Sequence, residues 1–286
     1  MEVTGFSPAR TGEVYALWLA FPKTTAHGKQ QPQHGDSEFK LVSTFNVSST
    51  GELIGFDANK TIPNLPKLEL ALQAEITIEK LDSISEEPEL TFLAGPVEGT
   101  TNQGTATLVI DHHDAVGLPF AIFKAEATLA SPDSSPNDYH GELYLMNATN
   151  ATSPGVSLGG YLPLGTRWKY GLWFIDSATQ SAPPFNFFYG YITGVAEADS
   201  YPTDNRFDFP GGRYPASSSQ SVYPLNSGQV TVMVSLEPNL HYTRPSVPFG
   251  AILLETKVPK DQRAFTPFSL TNLSAKLPKA VVTINR

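Results

Sequence analysis

The chain has no cysteine in its 286 residues, which excludes disulfides and thiolate chemistry within it. Charge is scarce too: Asp, Glu, Lys and Arg make up 16%, against roughly 25% in a typical soluble domain. No run of about 18 apolar residues occurs, so no stretch reads as a membrane-spanning helix. The start, Met1 to Arg10, lacks the basic-then-apolar pattern of an export signal. That leaves two settings open, a cytoplasmic chain or an exported one whose signal and anchor, including any lipid-bearing cysteine, precede this start. The net charge is −9 with no basic stripe, so a nucleic-acid partner is not expected. There is no Gly-x-Ser-x-Gly elbow, His-Glu-x-x-His pair or phosphate-cradling glycine loop. No catalytic residue and no cofactor are expected.

What is present is Ser, Thr, Asn, Gly and 24 prolines around 40% hydrophobic residues. That is the composition of many short strands joined by turns, and the expected class is all-β. An internal repeat supports it. Tyr15-Ala16-Leu17-Trp18-Leu19 recurs as Tyr170-Gly171-Leu172-Trp173-Phe174, and Ile76-Thr77-Ile78-Glu79 as Val234-Ser235-Leu236-Glu237. Pro88 to Phe92 then answers to Pro245 to Phe249. Expected strands are 14–21, 39–47, 74–80 and 91–97 in the first copy. In the second they are 168–175, 185–193, 229–237 and 249–256. The alternation of Val230, Val232, Val234 and Leu236 has the period of two that marks a strand. The Tyr-x-Leu-Trp strand is apolar on both faces, as a covered central strand should be.

The expected architecture is two tandem antiparallel β-sandwich domains of immunoglobulin-like type: repeat 1 at 1–115, repeat 2 at 116–260, and a strand-like tail at 261–286. Phe120–Leu129 and Gly141–Met146 read as strands that extend only the second copy. Phe268–Leu270 and Ala280–Ile284 in the tail are candidates for the first copy's missing edge.

The run from Tyr-x-Leu-Trp through Ile-Thr-Ile-Glu to Leu93-Ala94-Gly95 resembles the extracytoplasmic domain of anti-sigma-K-type factors, in two copies. The matching positions are Tyr15, Leu17, Trp18, Glu79 and Pro88, then Tyr170, Leu172, Trp173, Glu237 and Pro245. The second copy departs at its end, with Gly250-Ala251-Ile252. The resemblance implies a β-sandwich outside the cytoplasm, in the periplasm or on a cell surface, as in a lipoprotein-type binding module. It implies no sigma-factor control, because the sigma-gripping helical domain is missing.

Several clusters are candidate sites. Asp111, His112, His113 and Asp114 are the densest metal-capable group; on a strand they would alternate faces, so only a loop converges them. His27 and His34 read as loop residues. The long segment 199–220 mixes aromatic and arginine side chains with glycine hinges, and Tyr201, Arg206, Phe209, Arg213 and Tyr214 are the candidate partner or ligand residues. The run 185–191 should alternate, with Phe185, Phe187, Tyr189 and Tyr191 on one face and Phe188 on the other. Trp18 and Trp173 read as core anchors, and Glu79 and Glu237, at matching positions, as a shared structural device such as a bond to a turn amide. The expected function is a non-enzymatic binding or envelope-associated protein with an envelope protein or glycan as partner. A carbohydrate-binding module using the aromatics of 185–214 and a rigid envelope spacer are the alternatives.

Overall fold

Alternating and doubly apolar segments bounded by turn residues fold as strands throughout. The computed structural model of the protein describes residues 1–23, 37–59, 61–62, 65–100, 102–110, 123–130, 142–143, 155–159, 164, 167–176, 185–192, 225–239, 247–263 and 266–285. The chain is all-β and sandwich-like, built on two antiparallel sheets, one a near-barrel and the other a half-barrel. It divides into two compact units, Met1–Val116 with Leu277–Arg286, and Gly117–Lys276. Among the described residues no helix is long and apolar enough to cross a membrane.

The first sheet contains β1 (Glu2–Thr4), β2 (Glu13–Pro22), β3 (Ser37–Val47), β4 (Leu53–Ile54), β5 (Gln73–Lys80), β6 (Thr91–Gly99) and β7 (Gln103–Ile110). The second contains β8 (Lys124–Ala130), β9 (Glu142–Leu143), β10 (Gly155–Gly159), β11 (Trp168–Asp176), β12 (Phe185–Ile192), β13 (Val230–Pro238), β14 (Ala251–Lys257) and β15 (Pro267–Asn272). The last strand, β16 (Lys279–Asn285), returns to the first sheet between β1 and β7. The tail is therefore shared: β15 pairs with β14 and β8 in unit 2, and β16 with β7 and β1 in unit 1.

The repeat extends to backbone irregularities. β2 lies between β3 and β5, and β11 between β12 and β13. A register shift falls between Leu17 and Trp18 on the β3 side, and between Leu172 and Trp173 on the β12 side. A second shift falls between Ile76 and Thr77 against β6, and between Val234 and Ser235 against β14. Val42, Tyr189, Phe92 and Leu253 are thus the extra residues of four bulges, two per unit at matching places. A bulge adds a residue to one strand and re-aims the side chains beyond it.

Two expectations are corrected by these bulges. The strict alternation read for 185–191 fails, because Tyr189 is extra and face parity changes across it. Phe188 and Tyr191 are both buried and pack edge-on with ring centroids 4.8 Å apart, beside Trp173. The third repeated motif is also displaced. Thr91 faces Thr77 and Ile252 faces Ser235, so the closing strands correspond with Thr91 at Ile252, not with Phe92 at Phe249.

Each unit buries an aromatic face on one side of its central strand. In unit 1, Phe6, Tyr15, Phe45 and Phe92 pack with centroids 5.2 to 6.4 Å apart. The Tyr15 hydroxyl donates to the carbonyl of Ser7 at 3.0 Å, and burial raises its pKa well above the ordinary tyrosine range. In unit 2, Phe123 stacks on Tyr170 at 5.2 Å. Gly95 shows why the first copy ends in Leu-Ala-Gly: a Cβ there would lie 2.1 Å from the Thr107 carbonyl oxygen on β7. The matching position in unit 2 is Thr256, one residue beyond the last β14–β15 pair, Glu255 with Thr271, so a side chain is accommodated.

Candidate functional site

The residues singled out for metal binding, Asp111, His112, His113 and Asp114, lie outside the described residues, as do His27 and His34. So do Tyr201, Arg206, Phe209, Arg213 and Tyr214. Among the described residues no group of three or more metal-capable side chains converges. What converges instead is a polar cluster inside each unit, on the face of the central strand opposite the aromatic one.

In unit 1, Trp18 stands directly across from Glu75 on β5. Its indole therefore reaches diagonally along β5, a contact open to long side chains on a shared face. Trp18 Nε1 donates to Thr77 Oγ1 at 2.8 Å, and Thr77 Oγ1 donates to Glu79 Oε1 at 2.6 Å. Glu79 Oε1 also accepts the backbone N–H of Glu89, at 3.2 Å, across the turn between β5 and β6. Trp18, Thr77 and Glu79 are all essentially unexposed. The chain of donors runs from the core indole to the turn amide.

Unit 2 rebuilds the chain with different parts. Trp173 Nε1 donates to Ser235 Oγ at 3.0 Å and to Glu237 Oε1 at 3.1 Å. Ser235 donates to Glu237 Oε1, which also accepts the N–H of Phe249 at 3.0 Å. The direct indole–carboxylate bond depends on Gly171, which pairs with Ser235 where unit 1 pairs Ala16 with Thr77. A Cβ on Gly171 would lie 2.6 Å from Glu237 Cγ and 3.0 Å from Trp173 Nε1. The missing methyl is what lets Glu237 lie against the indole.

The units also differ in a second polar group. Glu75 accepts from Thr91 Oγ1 at 2.8 Å and from Gln73 Nε2 at 2.9 Å. Unit 2 has Met233 and Ile252 at the places of Glu75 and Thr91. Acceptor and donor were exchanged together for apolar residues, which avoids the cost of one buried partner left alone.

Chemically, Glu79 and Glu237 hold turns. Each has no measurable exposure, and a carboxylate closed off from solvent reaches no substrate. Burial pushes the Glu79 carboxyl above its ordinary value, against the hydrogen bonds from Thr77 and the backbone amides of Glu89 and Ser85. Sequence reading found the two tryptophans and two glutamates. It missed Thr77 and Ser235, although hydroxyl-x-Glu recurs in both copies. Comparison with known protein families, curated proteins and solved structures finds no match.

Two outcomes are expected. Gly171→Ala should cost unit 2 about 2 kcal/mol through overpacking, read by chemical denaturation, whereas Ala16→Gly should cost unit 1 no more than about 1 kcal/mol; a Gly171→Ala variant as stable as the parent contradicts the geometry. The second concerns pH. A carboxyl whose folded pKa is raised binds its proton more tightly when folded, so its contribution is greatest below the unfolded value of 4.5 and is lost as pH rises through the folded one. The melting temperature of Glu79→Gln minus that of the parent should therefore rise from pH 4.5 to 7.5. A flat or falling difference would show that Glu79 is not destabilised in its charged form.

Proposed function

We propose that this chain is a non-enzymatic, extracytoplasmic protein that binds a partner at the cell envelope, on two units like the sensory domain of anti-sigma-K-type factors without the sigma-binding part. The observation that carries this reading is the burial of the repeated residues. Tyr15, Leu17, Trp18 and Glu79 in unit 1, and Tyr170, Leu172, Trp173 and Glu237 in unit 2, all lie in the core. What the two copies share is thus scaffold, and recognition belongs to what they do not share. Segment 199–220, with Tyr201, Arg206, Phe209, Arg213 and Tyr214, has no aromatic-rich counterpart in the first copy, and aromatic and arginine side chains dominate binding hot spots. The buried positions of Trp18, Trp173, Phe188 and Tyr191 remove four aromatics from any stacking platform for sugar rings, which favours a protein partner over a glycan.

The test is cross-linking in the source organism with the tagged full-length protein, followed by fractionation. The expected result is recovery in the envelope fraction with a cross-linked partner. Replacing the five residues by alanine should abolish that partner without changing the melting temperature. Recovery in the cytoplasm, or a cross-link indifferent to the five replacements, would contradict the reading.

A further inference from the structure

The strand orders of the two sheets correspond position by position. β1-β16-β7-β6-β5-β2-β3 in unit 1 stands beside β10-β8-β15-β14-β13-β11-β12 in unit 2. One position breaks the chain order. β8 comes before the other strands of its own sheet, whereas its counterpart β16 comes after all of unit 2.

The two strands are nonetheless copies of each other. Lys124-Ala125-Glu126-Ala127-Thr128-Leu129 and Lys279-Ala280-Val281-Val282-Thr283-Ile284 share the pattern Lys-Ala-x-apolar-Thr-apolar. Their pairings agree as well. Ala125 is opposite Leu270 on β15 and Leu158 on β10; Ala280 is opposite Leu108 on β7 and Val3 on β1. The second, fourth and sixth residues of each strand are buried. Unit 1 therefore has a place shaped for this strand pattern, and it is filled from a remote part of the chain. The covalent link of β16 to unit 2 is the short segment 273–278.

Such a place has the properties of a strand-acceptor slot. Main-chain hydrogen bonds on both edges supply affinity, and the pockets for alternate side chains supply specificity. A strand from another copy makes the same contacts, so exchange costs little beyond the loss of the tether. In unit 2 the strand of this pattern precedes the strand that flanks it, β10. In unit 1 the equivalent strand, β16, has no direct chain connection to either neighbour in its sheet, β1 or β7, and only the segment 273–278 ties it to its own copy. We infer that the slot between β1 and β7 accepts β16 from a second copy of this chain, so that copies join by strand exchange. The tether holds β16 at an effective concentration on the order of mM, so exchange grows as protein concentration approaches that range or when the tether is cut.

The test uses the full chain with a protease site inserted between Lys276 and Leu277 and cut after folding. A fluorescent peptide of residues 277–286 should replace the cut strand, with a rise in anisotropy. The same peptide carrying Val282→Asp should not, since the change puts a charge at a buried position. As a second arm, the uncut full chain carrying Val282→Asp should recover its lost melting transition when the parent peptide is added, and not with the Asp peptide. Uncut parent chain should show dimers by light scattering that increase with concentration. Failure of both the cut chain and the Val282→Asp chain to take up the parent peptide would overturn the inference, as would equal uptake of the two peptides or a parent chain that stays monomeric as its concentration nears the mM range.

Discussion

A buried indole N–H must find an acceptor, because leaving it unpaired costs about 1–3 kcal/mol. In both units that acceptor is a hydroxyl backed by a carboxylate on the neighbouring strand: Thr77 with Glu79, and Ser235 with Glu237. The carboxylate in turn accepts an amide of the turn two residues before the next strand, that of Glu89 or Phe249. One interaction thus joins the central strand, its partner and the following turn. The four bulges sit directly beside it, next to Trp18 and Thr77 and next to Trp173 and Ser235. A register slip of one residue would send the hydroxyl and the carboxylate to the opposite face, so the polar chain also pins the pairing of three strands.

Around this fixed element the two units diverge in compensated ways. The bulky hydroxyl Thr77 faces Ala16, and the smaller Ser235 faces Gly171. Glu75 with Thr91 gives way to Met233 with Ile252. The first pair of changes removes a methyl from both partners, and Glu237 takes up the space beside the indole, as close packing demands; the second removes donor and acceptor together. Trp173 packs against Phe188 with ring centroids 4.7 Å apart, Phe188 packs in turn on Tyr191, and Lys169 lies 4.8 Å over the Tyr191 ring. That adds a cation–π contact to the cluster.

Much of this was legible in the sequence, for reasons that differ by element. β2, β5, β11 and β13 were visible because apolar periodicity and a repeated Trp and Glu mark strands covered on both faces. The bulges were not, since an extra residue leaves no compositional trace; the alternation read across Phe185 to Tyr191 failed at Tyr189 for that reason. β7 was missed because its buried residues, Gly104, Ala106 and Leu108, are mostly small and alternate with Thr105 and Thr107. β8 and β16 were each read as strands, but their kinship hides in a six-residue pattern and shows only when pairing partners are compared. The polar core was half legible: carboxylates at matching positions stand out, whereas Thr77 and Ser235 look like ordinary strand residues until their bonds are seen.

The most direct measurement is hydrogen exchange at the indole nitrogens, followed by NMR on protein labelled at its three tryptophans, Trp18, Trp168 and Trp173. If the indole–hydroxyl–carboxylate chain holds each unit together, the Trp18 and Trp173 Nε1 protons exchange only when their unit unfolds, at the rate of the slowest backbone amides in β2 and β11. Exchange of either proton on the timescale of surface indoles, with the surrounding amides still protected, would show that the unit stands without that bond.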